Sequence, residues 1–247
     1  MSKNLELQEL AIVLTAKNLS PTLLNPEFLK YGDIIPADWQ LARKPIYNER
    51  LVQLVFQNGA MIVAQPNRVF FVEAMGTKKL PELQIPTIAR KYIDKLPSAE
   101  YQAVGINPRG HVTFPEADGA YKYLLANLLS PGAWQDFGTG NVKPSVNLAY
   151  PLKRGQLNLS LNEAILKSPE DKSVPALLFS GNFNYEVVGE TPQKRLQDLR
   201  QLIGNWHQDL KIYQQLVNQK FLQKGVKPAQ VSKPTSEAKP VETAAKA

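Results

Sequence analysis

The stretch LVQLVFQNGAMIVAQPNRVFFVEA, residues 51–74, decides the fold. Val52, Leu54 and Phe56 alternate with Leu51, Gln53, Val55 and Gln57, and β-branched or large apolar residues in that order predict a strand. Asn58-Gly59 then turns the chain, because both residues tolerate the positive φ that a tight hairpin demands. Residues 60–64 form the return strand. Gln65-Pro66-Asn67-Arg68 makes a second turn, since proline presets φ and cannot donate to a ladder, and residues 69–73 form a third strand. Such a meander has a face that must be covered, so helices from elsewhere in the chain are expected to lie across it.

Working outward, residues 10–16 (LAIVLTA) read as a strand of the same sheet. The long connection over 18–48 carries repeated turn signals and many large apolar groups. Asn25-Pro26-Glu27 has the order of cap, first-turn proline and first-turn acid, so a short helix over 26–30 is predicted, ended by Gly32. Two readings of the segment stand side by side. Either Phe28, Ile35 and Trp39 plug an end of the sheet, or the segment forms part of a partner or ligand groove.

Beyond the meander, Pro86 opens a helix to about residue 95 whose apolar side is Ile85, Ile88, Ala89, Tyr92, Ile93 and Leu96. Residues 101–107 and 111–114 read as two short strands joined by a Pro108-Arg109-Gly110 turn. A helix over about 118–129 follows. Residues 145–152, 156–166 and 176–188 read as three more strands. The last helix starts at Thr191 as cap with Pro192 in the first turn. Leu196, Leu199, Ile203, Trp206, Leu210, Tyr213 and Val217 then step by three and four. That stripe predicts either packing on a sheet or a homodimer seam over 192–221. Strands followed by a helix thus occur twice. The predicted fold class is α+β: antiparallel β-meanders in two similar halves, about 1–135 and 140–223, each packed by a helix, with a long C-terminal helix. A single domain would span 1–223, and the Lys-, Pro- and Ala-rich segment 224–247 is expected to be disordered.

With 247 residues the chain can bury a sizeable core without a cofactor, and none is expected. It has no cysteine, which excludes disulfides, thiolate metal sites and cysteine nucleophiles, and fits a reducing compartment. The amino terminus, MSKNLELQEL, lacks the pattern of an export signal, and no apolar run approaches the ~18 residues of a membrane span, so a cytoplasmic protein is expected. The formal charge is +7, but five lysines against two glutamates fall within 224–247, leaving a mildly basic body.

Candidate chemistry is sparse. The two histidines, His111 and His207, each lack a second ligand at metal-binding spacing. There is no G-x-S-x-G, and Gly138-Thr139-Gly140 lacks the lysine of a phosphate-binding loop. Arg109 in its predicted turn could meet an anion, and Asp33, Asp38, Asp118 and Asp136 sit where capping and solvation account for them. Basic pairs such as Arg43-Lys44 and Arg90-Lys91 are scattered, without a nucleic-acid motif. No catalytic or metal-ligating residue is assigned. The expected role is a non-catalytic protein-binding or assembly factor with a protein partner. The alternatives are a nucleic-acid-binding protein or, behind that, an enzyme of unknown reaction. The candidate interaction surface is Phe28, Tyr31, Ile35, Trp39, Arg43, Trp206 and Tyr213.

Through LLNPEFLKYGDIIPADWQLA (residues 23–42) and FQNGAMIVAQPNRVFFVE (residues 56–73), the chain resembles a group of intracellular bacterial proteins, found mainly in cyanobacteria, that carry no assigned activity. The resemblance implies a bacterial, cyanobacterial origin and no reaction.

Overall fold

The computed structural model describes residues 4–76, 78–167 and 173–223. Its centre is one antiparallel sheet of nine strands in the order β2-β3-β4-β5-β1-β6-β9-β8-β7. The strands are β1 (Glu6–Lys17), β2 (Ile46–Asn48), β3 (Leu51–Val55), β4 (Ala60–Gln65), β5 (Arg68–Ala74), β6 (Glu100–Thr113), β7 (Ser145–Leu152), β8 (Gly155–Lys167) and β9 (Ser173–Glu186). The helices are α1 (Pro26–Tyr31), α2 (Ile85–Lys95), α3 (Gly119–Asn127), α4 (Pro192–Gly204) and α5 (Trp206–Leu216). The α+β class and the opening meander are therefore observed. Gly59 turns it at φ +83° and Asn67 at φ +64°.

One face of the sheet builds the core. Leu10, Ile12 and Leu14 of β1, Leu54 of β3, Ile62 of β4, Phe71 of β5, Ile106 of β6, Leu159 of β8 and Phe179 and Phe183 of β9 all point to that side and are buried. Above them lie Ile85, Ile88, Ala89, Tyr92 and Ile93 of α2, Leu199 and Ile203 of α4, and Leu210 and Tyr213 of α5. Burying each large apolar side chain stabilises the fold by about 1.5–3 kcal/mol, so this layer supplies the main cohesive term. The segment after β1 closes one end. Trp39 packs on Phe56 with ring centroids 5.0 Å apart, and Phe28 meets Tyr92 edge-on at 6.2 Å.

The helix starts follow the predicted capping. Asn25 Oδ1 accepts the Phe28 amide at 2.7 Å, and Thr191 Oγ1 accepts the Lys194 amide at 3.2 Å. Two local expectations are corrected. Pro108-Arg109-Gly110 is not a turn: β6 runs straight through it, with Leu10 opposite Pro108 and Glu9 opposite Arg109. The proline is accommodated because pairing with β9 lapses at Asn107 and Pro108, between the pairs Ile106–Phe183 and Arg109–Ser180. The C-terminal helical stretch is also not one uninterrupted α-helix. It breaks at Asn205 after Gly204, two residues that favour helix ends, and its last turn, Val217–Phe221, is π-helical. Leu199, Ile203, Leu210, Tyr213 and Val217 of its stripe are buried within the chain itself. The segment 224–247 lies outside the described residues.

Candidate functional site

Among the described residues, the helices and the 18–42 segment cover one face of the sheet and none covers the opposite face. Strand alternation places every second residue there, and the registers align those residues into rows. One row runs Val55, Met61, Val72, Ala11 and Asn107 across β3, β4, β5, β1 and β6. The next runs Gln53, Val63, Phe70, Val13 and Gly105, and continues through Asn184 of β9, Gln156 of β8 and Pro151 of β7. Val13, Val55, Met61, Val63, Phe70 and Val72 are half-exposed and form a contiguous apolar patch on the side opposite the core.

The same face changes character beyond β6. Ser180, Ser160 and Asn147 share a level, as do Asn182, Asn158 and Ala149, so this side is lined by neutral amides and hydroxyls. Two polar contacts join β1 to β6 on this face. Arg109 Nη1 lies 3.3 Å from Glu9 Oε1, and His111 Nε2 lies 3.4 Å from Glu6 Oε2. Asn107 Oδ1 and His111 Nδ1 are enclosed without hydrogen-bond partners.

The candidate interaction surface read from the sequence is not assembled. Ile35, Trp39 and Tyr213 are core residues, and the Tyr213 hydroxyl donates to the Phe179 carbonyl at 2.7 Å. Phe28 and Trp206 are partly buried against the core. The reason is common to all five: a sheet face needs large apolar side chains to cover it, and these were the nearest in the chain. Tyr31, 91% exposed, and Arg43 remain in solvent, and Arg43 Nη2 reaches Gln53 Oε1 at 3.5 Å on the rim of the uncovered face. These apolar rows were missed because Val55, Val63, Phe70 and Val72 read as ordinary strand residues. The available signal was that β3, β4 and β5 are apolar on both faces, a pattern of strands buried on two sides.

Among the described residues, two charged side chains are buried, Glu73 and Asp209. Glu73 Oε2 accepts the amides of Gln84 at 2.8 Å and Ile85 at 3.1 Å, while Oε1 meets Lys78 Nζ at 2.7 Å, so the carboxylate caps α2 from the sheet. Asp209 Oδ1 accepts from Arg154 Nη2 at 2.6 Å and from the Tyr185 hydroxyl at 2.7 Å, whereas its Oδ2 has no partner. Burial pushes the Asp209 carboxyl above the ordinary carboxylate range, against the opposing pull of Tyr185, Arg154 and His207. Of the exposed acids, Asp33 receives Lys91 Nζ at 2.9 Å, a bond that holds its carboxyl below that range. Asp118 pairs with Lys122 at 3.1 Å. Among the described residues no three His, Asp or Glu side chains come together as a metal site would require, and no helix is long and apolar enough to cross a membrane.

Comparison with protein-family models and with curated proteins gives no match.

Proposed function

We propose that this chain is a non-catalytic protein-binding or assembly factor of the cytoplasm, and that its partner docks on the uncovered face of the sheet. The observation that carries this reading is the pair of adjacent apolar rows, Val55–Met61–Val72–Ala11 and Val63–Phe70–Val13, which no other described element covers. Contiguous exposed apolar surface of this kind marks docking sites on soluble proteins. Its occupant would present apolar, uncharged side chains to the rows and hydrogen-bonding groups to the Asn and Ser side beyond β6. Nucleic acid fits less well, because its affinity comes from cations on phosphates, and the two apolar rows carry none while Arg109 beside them pairs with Glu9. A non-catalytic role is supported by the use of the buried carboxylates: Glu73 spends both oxygens on the fold, and Asp209 anchors Arg154 and Tyr185.

The platform reads as two similar halves. β1, α1, β2 to β5 and α2 are followed by β6, α3, β7 to β9 and α4 with α5, and the two leading strands pair at the centre of the sheet. On this view α4 and α5 together act as the long C-terminal helix. The first half then supplies the apolar part of the docking face and the second the amide part. The cyanobacterial origin implied by residues 23–42 and 56–73 belongs to the same proposal and names the extract to use.

The test is co-purification from that extract with the unchanged chain, with Val63→Lys/Val72→Lys, and with Asn158→Lys on the amide side. Circular dichroism would confirm that each variant is folded. Specific protein partners that disappear with Val63→Lys/Val72→Lys would bear the reading out. Recovery of the same proteins in the same amounts with all three chains would overturn it, as would recovery of nucleic acid in their place.

A further inference from the structure

A second surface feature lies at the end of the same sheet face, one row beyond Val63, Phe70 and Val13. At one end of the sheet, the ends of β4, β1 and the starts of β5 and β6 come together with the β2–β3 turn. They border an open cleft of about 630 Å³ lined by Thr15, Arg50, Gln65, Asn67, Arg68 and Gln102, with Pro66. Register puts three of these at one level, since Arg68 is opposite both Thr15 and Gln65. The turn that presents Arg68 is pinned: the Asn67 amide donates to the Leu19 carbonyl and its own carbonyl accepts from Ala16, both at 3.0 Å.

We propose that this cleft binds a phosphoryl group. Neither Arg50 nor Arg68 makes an ion pair among the described residues, and no carboxylate lines the cleft. The nearest acids lie outside the lining: Glu49 is exposed in the turn beside Arg50, and Glu186, at the level of Arg68 on the same face, is three strands away across β1 and β6. Two guanidinium groups held in one concave site repel each other unless an anion stands between them. Each offers a planar fork that matches phosphate or carboxylate oxygens. The remaining lining decides between those anions. The amides of Gln65, Asn67 and Gln102 and the Thr15 hydroxyl add donors from several directions. A carboxylate, planar and singly charged, leaves part of that set unused. A phosphoryl group carries about −1.5 to −2 charge at neutral pH and three acceptor oxygens spread in three dimensions, which matches two cations ringed by neutral donors.

The group could arrive as free phosphate or on an organic phosphomonoester, and calorimetric titration of the full chain separates the two. Inorganic phosphate, phenyl phosphate and acetate would each be titrated at low ionic strength. The proposal expects saturable phosphate binding that weakens with salt, with acetate weaker. Arg50→Gln and Arg68→Gln should each reduce phosphate affinity by about tenfold or more, the loss of one charge-assisted contact. Tighter binding of phenyl phosphate than of phosphate would assign the site to an organic ligand, and equal binding to the free ion. Both arginines are exposed, so the variants keep the fold, which circular dichroism checks; Arg50→Lys and Arg68→Lys, which retain charge without the fork, should fall between. Absence of saturable phosphate binding, binding unchanged in Arg50→Gln/Arg68→Gln, or acetate binding as tightly as phosphate would each overturn the assignment.

Discussion

Replacing Glu73 with alanine tests whether the sheet and α2 are locked together by one carboxylate. The side chain is wholly enclosed, and it takes the first free amides of α2, those of Gln84 and Ile85, together with the Lys78 ammonium. Each amide left without an acceptor in a buried setting costs about 1–3 kcal/mol, and loss of a helix cap measured alone costs about 1–2 kcal/mol. Lys78 is 27% exposed and also donates to the Asn58 carbonyl, so it can rehydrate and adds little. The expected loss for Glu73→Ala is therefore about 3–5 kcal/mol, the range found when a buried charged group loses its partner. Against a total stability of about 5–15 kcal/mol this is a large fraction. Urea unfolding followed by tryptophan fluorescence and far-ultraviolet circular dichroism would show a lower midpoint at unchanged slope. Glu73→Gln keeps an acceptor for the amides and should recover about half of the loss. A Glu73→Ala protein within about 1 kcal/mol of the parent would refute the argument that this carboxylate holds α2 in place.

Two further outcomes follow from the same reasoning. Because burial raises the Asp209 carboxyl, between the ordinary carboxylate range and the raised value the folded chain binds a proton there more tightly than the unfolded chain does. Stability is then fullest below the ordinary carboxylate range and falls as pH rises through the raised value. Asp209→Asn should remove that decline while Arg154, Tyr185 and His207 still face the site; urea midpoints across a pH series that run parallel for the two chains would contradict it. Gly155→Ala should cost about 1–3 kcal/mol by thermal or urea unfolding. A methyl group there would stand 2.8 Å from the Asn184 carbonyl oxygen and 2.8 Å from the Tyr185 ring, and the carbonyl belongs to backbone that cannot swing aside.

Much of the architecture was legible because its signals are local. Asn25-Pro26-Glu27 and Thr191-Pro192 cap helices through atoms three residues away, and Asn58-Gly59 turns a hairpin through its own dihedrals. The misread places depend on distant partners. Pro108 and Gly110 look like a turn until β1 and β9 flank them, and a lapse in one ladder is what lets the proline lie inside a strand. The Gly204-Asn205 break was written in the chain but masked by an apolar stripe that continues across it. The uncovered face was the least legible part. Phe28, Ile35 and Trp39 lie in a long connection whose residues fit either a plug of the sheet end or a groove, and only the structure shows that they cover that end. Val63 and Phe70, on opposite strands, became exposed only because the available helices all lie on the other side.

The unpaired level at Asn107 and Pro108, opposite Gly181 and Asn182, falls in the middle of the nine strands. Rungs are missing there on the β9 side of β6 while those to β1 remain, so fewer backbone hydrogen bonds hold β6 to β9 at that level than hold it to β1. Amide exchange should accordingly be faster beside this gap, at the β6–β9 seam, than at the neighbouring β1–β6 seam.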